Sequence, residues 1–116
     1  GPIPVGGPVS PRGGLGETAV LLAGDAAGLT NPVTGAGISA ALQSGALAGA
    51  AAAEWLGGDE NALTDYGEEL EDLFGASLSR ALKRRRGVLA AYRSGGKPRP
   101  EDLRQGWVGY PEYWAA

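Results

Sequence analysis

The feature that most constrains this chain is a short apolar run that ends in a glycine and an acid. Residues 18–24 read TAVLLAG, without alternation of apolar and polar side chains, and Asp25 follows directly. Such a run is typical of a strand that is covered on both faces in a parallel sheet. No other segment reads as a neighbouring strand. The sequence therefore predicts an α/β fold that is completed by another segment or chain.

The segments on either side of this run have different patterns. Residues 1–16 contain four prolines and six glycines, which predicts extended chain and turns rather than a helix or a central strand. After Asp25, a loop rich in Gly, Pro and Thr leads into an Ala-rich helix. We expect this helix to begin near Gly37 and to end at the Gly57–Gly58 pair.

The second half of the chain is predicted to be mostly helical. Apolar residues recur in steps of three and four over residues 63–92, which indicates one long helix or two stacked helices to about Arg93. Glu101 and Asp102 follow a proline, so they are interpreted as the first turn of a short helix and not as a catalytic acid pair. Four aromatic residues close the chain and should dock on protein, in this chain or in a partner. They are Trp107, Tyr110, Tyr113 and Trp114.

Composition argues against several classes of function. The chain has no Cys and no His, which removes thiolate metal sites and the commonest general base, and we predict no metal site. Net charge is −3, so the LKRRR run at residues 82–86 is not interpreted as a nucleic-acid site. Residues 36–56 are mostly Ala, Gly and Ser, which favours a buried helix over an integral membrane span. No segment has the pattern of a signal peptide, and we expect a cytoplasmic protein.

The glycine-rich loop supports two interpretations when the residues are considered alone. A helix that begins near Gly37 directs free N–H groups at its N-terminal end, and the small residues there would let a planar ring approach. Asp25, at the carboxyl end of the strand, could accept hydrogen bonds from sugar or polyol hydroxyls. A flavin nucleotide would use both features, the carboxylate acceptor and the free N–H groups. Equally, Asp25 could simply cap the loop while the glycines form turns. Residues 14–19 and 35–40 resemble GxGxxG, but neither lies at a tight turn from strand to helix.

A longer resemblance decides between these interpretations. The segment GDAAGLTNPVTGAGISAALQSG, from Gly24, resembles the second flavin-binding motif of the FAD-dependent hydroxylase, halogenase and geranylgeranyl reductase superfamily. IPVGGP at residues 3–8 is similar to the preceding segment of the geranylgeranyl reductase branch. Aromatic hydroxylases of the superfamily tend to carry His where this chain has Gly28. The resemblance implies that Asp25 binds the ribityl hydroxyls of FAD, that Pro32 lies near the isoalloxazine, and that the Gly35–Ile38 amides face its pyrimidine edge. The implied cofactor site comprises Gly24, Asp25, Pro32, Gly35, Ala36, Gly37 and Ile38.

The resemblance also implies a fold and a function. The chain is expected to be the C-terminal part of an FAD-binding fold, with a flavin-facing part at residues 1–58 and a helical part with the aromatic tail at residues 59–116. It is expected to serve an FAD-dependent oxidoreductase that either delivers hydride to a C=C bond or activates oxygen. The substrate would be a small or lipid-like molecule. The N-terminal GxGxxG segment of the superfamily is missing, so we expect a partner chain or segment to supply it.

One other class of function remains open at this stage. The chain could be a non-catalytic helical module, derived from a flavoprotein, that binds a partner through its aromatic tail. No catalytic acid or base is identified from the sequence. Flavin absorbance of the purified protein separates the two hypotheses, because only the first requires a bound cofactor.

Overall fold

The structure is a computed structural model, and it describes residues 1–115. The chain is mostly helical and has one small antiparallel sheet. Strands β1 and β2 come first, a 3-10 helix follows β2, and a π-helical turn joins α2 to α3. The elements are β1 Arg12–Leu15, β2 Thr18–Leu21, the 3-10 helix Gly24–Ala27, α1 Ile38–Leu56, α2 Ala62–Leu70, the π-helical turn Glu71–Gly75, α3 Ala76–Arg93, α4 Pro100–Gly106 and α5 Pro111–Trp114.

The strand predicted at residues 18–24 is shorter than expected, and its pairing differs from the prediction. β2 pairs antiparallel with β1, with Leu15 opposite Thr18, so the expectation that no other segment pairs with it is wrong. Gly16 has a φ of 61° and is the first residue of the two-residue turn between the strands. Such turns need a positive φ there, which glycine adopts without steric cost. Closing so short a loop costs little chain entropy, and the hairpin forms although β1 is glycine-rich.

The core lies where the end of β2 meets α1 and α2. It contains Ala27, Leu29, Ala40, Ala51, Tyr66, Leu70 and Leu78. Two buried hydroxyls hold the backbone that leaves β2. The Tyr66 hydroxyl of α2 donates to the Leu22 carbonyl at 2.7 Å, and the Gly24 N–H donates to the Ser44 hydroxyl of α1 at 2.9 Å. These bonds fix the position of Asp25, which follows Gly24.

The helix boundaries agree with the predictions. α1 begins at Ile38 and ends before Gly57, and the last helical residue of α3 is Arg93. Between α2 and α3 the helix is continuous but contains the π-helical turn. Gly75 lies in this turn, and the Glu71 carboxylate occupies the space beside it. Glu101 and Asp102 lie in the first turn of α4, as expected.

Of the four rings in the aromatic tail, that of Tyr113 is buried against the chain. Tyr113 is 2% exposed, whereas Trp107 and Trp114 are each about half exposed. Arg84 of α3 donates to the carbonyls of Glu112 at 3.2 Å, Tyr113 at 3.1 Å and Ala115. An arginine of the LKRRR run therefore satisfies the carbonyl groups at the end of α5.

The chain is elongated. Its radius of gyration is 17.0 Å, whereas a compact domain of this length would have about 13 Å. Several large apolar side chains are largely exposed, among them Leu15, Ile38, Leu42 and Leu56. Apolar surface of this extent is typical of a chain that contacts other protein.

The Tyr66 hydroxyl bond gives a prediction for stability. Tyr66→Phe keeps the ring but leaves the Leu22 carbonyl without its donor, so the free energy of unfolding should fall by about 1–3 kcal/mol. Urea unfolding at neutral pH measures the change, and Tyr92→Phe, at an exposed position, is the matched control. Equal stability of Tyr66→Phe and the parent chain would contradict the role of this bond.

The same residue gives a pH dependence. Burial raises the pKa of the Tyr66 hydroxyl above its ordinary value of about 10, because the charged phenolate is poorly solvated there. The protonated form is favoured in the folded state, so its contribution is complete below pH 10 and is lost as the pH rises through the raised pKa. We expect the stability of the parent chain to fall more steeply above about pH 10 than that of Tyr66→Phe. Parallel alkaline unfolding curves would contradict this.

Candidate functional site

An open cleft of about 520 Å³ lies between the 3-10 helix and the start of α1. It brings together five of the seven predicted site residues, which are Gly24, Asp25, Gly35, Gly37 and Ile38. Ile3, from the IPVGGP segment, also lines it. The cleft is therefore built by three stretches that are separate in the sequence: the first residues, the end of the strand and the helix start.

The Asp25 carboxylate is held by a buried neighbour at one edge of the cleft. Its Oδ1 accepts a hydrogen bond from the Thr30 hydroxyl, and Thr30 is 1% exposed whereas Asp25 is exposed. A Cβ at Gly37 would lie 3.1 Å from Asp25 Oδ1 and 3.2 Å from Thr30 Oγ1. Both distances are tighter than ordinary van der Waals contact, so a side chain at position 37 would displace this pair. The arrangement leaves one orientated acceptor beside a helix start.

The start of α1 adds partial positive charge at the same place. Gly37 is the N-cap, and its carbonyl accepts from the Ala41 N–H at 2.8 Å. No side chain caps this end, and no acidic residue lies in the first turn. The first amides of a helix carry roughly half a positive charge together, which favours a negative group placed before them.

The loop before α1 uses two of the amides that were expected to face a ligand. The Gly35 N–H donates to the Asn31 carbonyl at 2.8 Å, and the Ala36 N–H donates to the Thr34 hydroxyl at 3.2 Å. The Asn31 side chain accepts from the Val33 and Thr34 amides, which closes the loop on itself. Of the four amides predicted at Gly35–Ile38, those of Gly37 and Ile38 remain at the uncapped helix start.

Two predicted site residues do not line this cleft. Pro32 is less than 2% exposed, and its carbonyl accepts from Arg85 Nη1 of α3 at 3.1 Å. Ala36 lines a neighbouring cleft together with Phe74 and Leu78. The structure thus places Pro32 within the packing of the loop against α3.

Backbone conformation and close packing both favour glycine at position 28. Its φ is 71°, and a Cβ there would overlap the carbonyl oxygen of Gly7. The Val9 N–H also donates to the Ala27 carbonyl at 3.2 Å, so the segment after IPVGGP lies directly on the turn that follows Asp25. A histidine at position 28, as in the aromatic hydroxylases, would not fit beneath this segment.

Sequence reasoning missed Thr30, Ser44 and Tyr66, whose hydroxyls hold the site. The signal for Thr30 is its place five residues after Asp25 in a tight loop. Ser44 and Tyr66 lie in helices far along the chain, and no local pattern marks them.

Comparison with known proteins identifies the relatives of this chain. Digeranylgeranylglycerophospholipid reductase 2 of Methanopyrus kandleri is 41% identical over 86 residues, which cover 72% of this chain and 21% of that protein. Digeranylgeranylglycerophospholipid reductase 2 of Methanosphaera stadtmanae is 49% identical over 51 residues, or 44% of this chain and 12% of that protein. Reductase 3 of the same organism is 36% identical over 66 residues, or 54% and 17%. These partial matches, at 36–49% identity, support a relationship of the chain to the geranylgeranyl reductase family.

The family relationship covers only part of each relative. The chain spans 21% of the length of the Methanopyrus reductase. It spans 12% and 17% of the two Methanosphaera reductases. No family model matches the chain, and no solved structure matches it. Within residues 1–115, no helix combines the length and hydropathy needed to cross a bilayer. The same part of the chain contains no group of three or more acids that could hold a metal ion.

The Thr30 hydroxyl gives a prediction for the candidate site. Thr30→Val has nearly the same shape but cannot donate to the charged Asp25 carboxylate, so the free energy of unfolding should fall by about 1.5–3 kcal/mol. Thr30→Ser keeps the donor and should lose less of the hydrogen-bond contribution. Urea unfolding measures both variants. A larger loss in Thr30→Ser than in Thr30→Val would show that the methyl group, and not the hydroxyl, matters at this position.

Proposed function

We propose that this chain forms the flavin-facing half of the FAD site in a geranylgeranyl-reductase-like oxidoreductase. The observation that carries the proposal is the meeting of Asp25, Thr30 and Gly37 beside an uncapped helix start. The absence of a side chain at Gly37 lets the Asp25–Thr30 pair lie close to the helix start, next to the cleft. A ligand with hydroxyl donors and a polar ring edge fits this combination of acceptor and partial positive charge.

Different groups of the site would contact different parts of FAD. Asp25, orientated by Thr30, would accept hydrogen bonds from the ribityl hydroxyls. The amides of Gly37 and Ile38 would lie toward the pyrimidine edge and favour negative charge there. FAD, when bound, supplies the transfer of electrons or hydride. The protein contributes orientation and electrostatic stabilisation, and no acid or base of this chain is assigned to the reaction.

A partner segment or chain is part of the proposal. It would bring the N-terminal glycine-rich turn for the pyrophosphate of FAD and parallel strands beside β2, which would complete the FAD-binding fold. Two features support this: Leu15 of the hairpin is 77% exposed, and Leu42 and Leu56 of α1 are 71% and 79% exposed. An alanine- and glycine-rich helix face with exposed leucines is suited to close packing against another element.

The relatives suggest a substrate class. By name, they act on a digeranylgeranylglycerophospholipid. We propose that the complete protein reduces C=C bonds of an isoprenoid lipid in the cytoplasm, in preference to oxygen activation. Consumption of oxygen in step with substrate would contradict this choice.

The Asp25 carboxylate gives the first test of the proposal. Asp25→Ala should weaken FAD retention about 10- to 100-fold, because each lost hydrogen bond to a charged group is worth about 1.5–3 kcal/mol. Flavin absorbance after dialysis of the assembled protein measures it. Asp72→Ala removes an exposed acid of the π-helical turn and serves as the matched control. Unchanged flavin occupancy in Asp25→Ala would remove this residue from the site.

The helix start gives a second test. Gly37 has a φ of −148°, which proline cannot adopt, but proline is tolerated at the first helical position. Ile38→Pro removes one N–H, and circular dichroism must show that α1 still forms, because a proline disfavours the ψ of −12° at the preceding Gly37. The substitution should lower the flavin reduction potential by on the order of 10 mV, because part of the stabilisation of negative charge is lost. Spectroelectrochemistry measures the shift, with Ile38→Val as control. A shift of the same size in Ile38→Val would assign the effect to the side chain.

One observation supports the alternative function, a non-catalytic helical module that binds a partner. Trp107 and Trp114 of the aromatic tail are 50% and 56% exposed, so a partner could still cover them. A preparation that binds a partner chain through these rings and lacks flavin absorbance in every assembly would favour the module over the enzyme.

A further inference from the structure

The loop of residues 31–36 is closed by its own hydrogen bonds. The Asn31 N–H donates to the Ala36 carbonyl, and the Gly35 N–H donates to the Asn31 carbonyl, both at 2.8 Å. The Asn31 side chain accepts from two further amides of the loop. Because these bonds join one end of the loop to the other, a displacement at one of its residues is transmitted through the whole loop.

This loop connects the two parts of the proposed flavin site. Thr30, which orientates the Asp25 carboxylate, directly precedes the loop. Gly37, the N-cap of α1, directly follows it. A loop that is held in one place therefore keeps the carboxylate and the uncapped helix start in a fixed relation to each other.

Arg85 of α3 holds the loop from outside. Its Nη1 donates to the Pro32 carbonyl at 3.1 Å, although the two residues are 53 positions apart in the sequence. Pro32 is less than 2% exposed, and Arg85 is only partly exposed. A hydrogen bond from a charged donor is roughly twice as strong as one between neutral groups. The bond thus fixes the middle of the loop to α3.

The Arg85 guanidinium also brings a positive charge to the loop. Within residues 1–115, no carboxylate forms an ion pair with Arg85. A guanidinium is not deprotonated in proteins, and a partly buried charge is screened by salt much less than an exposed one. The charge therefore adds to the partial positive charge of the α1 start, on which the proposed flavin site depends.

We propose that Arg85 is a positioning residue of the flavin site, which holds the loop through the Pro32 carbonyl and raises the reduction potential of bound FAD. The inference rests on the proposed function, because it concerns the same site. The Pro32 bond would keep the Gly37 and Ile38 amides in place. The uncompensated charge would favour the form of FAD that carries more negative charge, which is the reduced form.

Spectroelectrochemical titration of the flavin-loaded, assembled protein tests the inference. Arg85→Gln loses the charge and is too short to reach Pro32, so the equilibrium between reduced and oxidised FAD should shift about 3- to 10-fold toward the oxidised form. For a two-electron couple this shift lowers the potential by about 15–30 mV. Arg85→Lys keeps the charge and a donor of nearly the same reach. It should restore most of the loss, because the Pro32 bond uses one nitrogen.

The two neighbouring arginines supply matched controls. Arg84→Gln removes the bonds to the Glu112 and Tyr113 carbonyls, so it should lower the free energy of unfolding but leave the potential unchanged. Arg86→Gln removes an exposed charge one position further along α3 and should change neither quantity. If Arg85 only stabilised the fold, Arg85→Gln would behave like Arg84→Gln.

Amide hydrogen exchange of the full chain, without FAD, measures the positioning directly. In Arg85→Gln the Asn31 and Gly35 N–H groups should exchange about 10-fold faster, because the loop opens more often without its bond to α3. In Arg86→Gln their exchange should match that of the parent chain. If Arg85→Gln does not fold, Arg85→Leu replaces it in both experiments, since an apolar side chain suits a partly buried position.

Any of four results would overturn the inference. They are a parent-like potential in Arg85→Gln with FAD bound, an equal shift in Arg84→Gln or Arg86→Gln, no recovery in Arg85→Lys, and unchanged exchange of the loop amides. In each of these cases the proposed function stands, because the parent protein still holds FAD. A parent protein that binds no flavin in any assembly would instead refute the proposed function, and this inference with it. A selective loss in Arg85→Gln that Arg85→Lys restores would support the positioning role.

Discussion

Two buried hydroxyls determine where the backbone goes after β2. Ser44 accepts from the Gly24 N–H and in turn donates to the Ala40 carbonyl at 2.6 Å, and Tyr66 donates to the Leu22 carbonyl. Each hydroxyl is on a different helix, and together they bind the strand end to α1 and α2. Because unpaired buried backbone groups are costly, these contacts fix the chain on either side of Ala23. The direction of Asp25, and so the shape of the cleft, follows from them.

Close approach of backbones is the second constraint on the site. A Cβ at Gly24 would lie 3.0 Å from the Ala41 Cβ, and a Cβ at Gly28 would overlap Gly7. Gly37 leaves room for the Asp25–Thr30 pair in the same way. The glycines of the motif are therefore needed for packing as much as for turns, and each one brings a different segment against the loop. This explains why a site of three separate stretches can be so compact.

Local patterns in the sequence predicted the helices well. The Gly57–Gly58 pair ends α1, and the steps of three and four lead to the end of α3 at Arg93, because these signals depend only on neighbouring residues. β1 was missed because its two central residues, Gly13 and Gly14, have low strand propensity. The Arg85–Pro32 bond joins residues 53 apart. Such a contact depends on the whole fold, and no spacing rule indicates it.

The π-helical turn sets the phase of α3. A π-helical turn accommodates one more residue than an α-helical turn, and one residue rotates a helix by about 100°. The insertion at Glu71–Gly75 therefore decides which side of α3 each arginine occupies. Arg84 and Arg85 are adjacent, yet Arg84 bonds the carbonyls of the aromatic tail whereas Arg85 bonds the glycine-rich loop. A chain one residue shorter here would rotate both guanidinium groups away from their acceptors, and the tail and the loop would lose their common anchor.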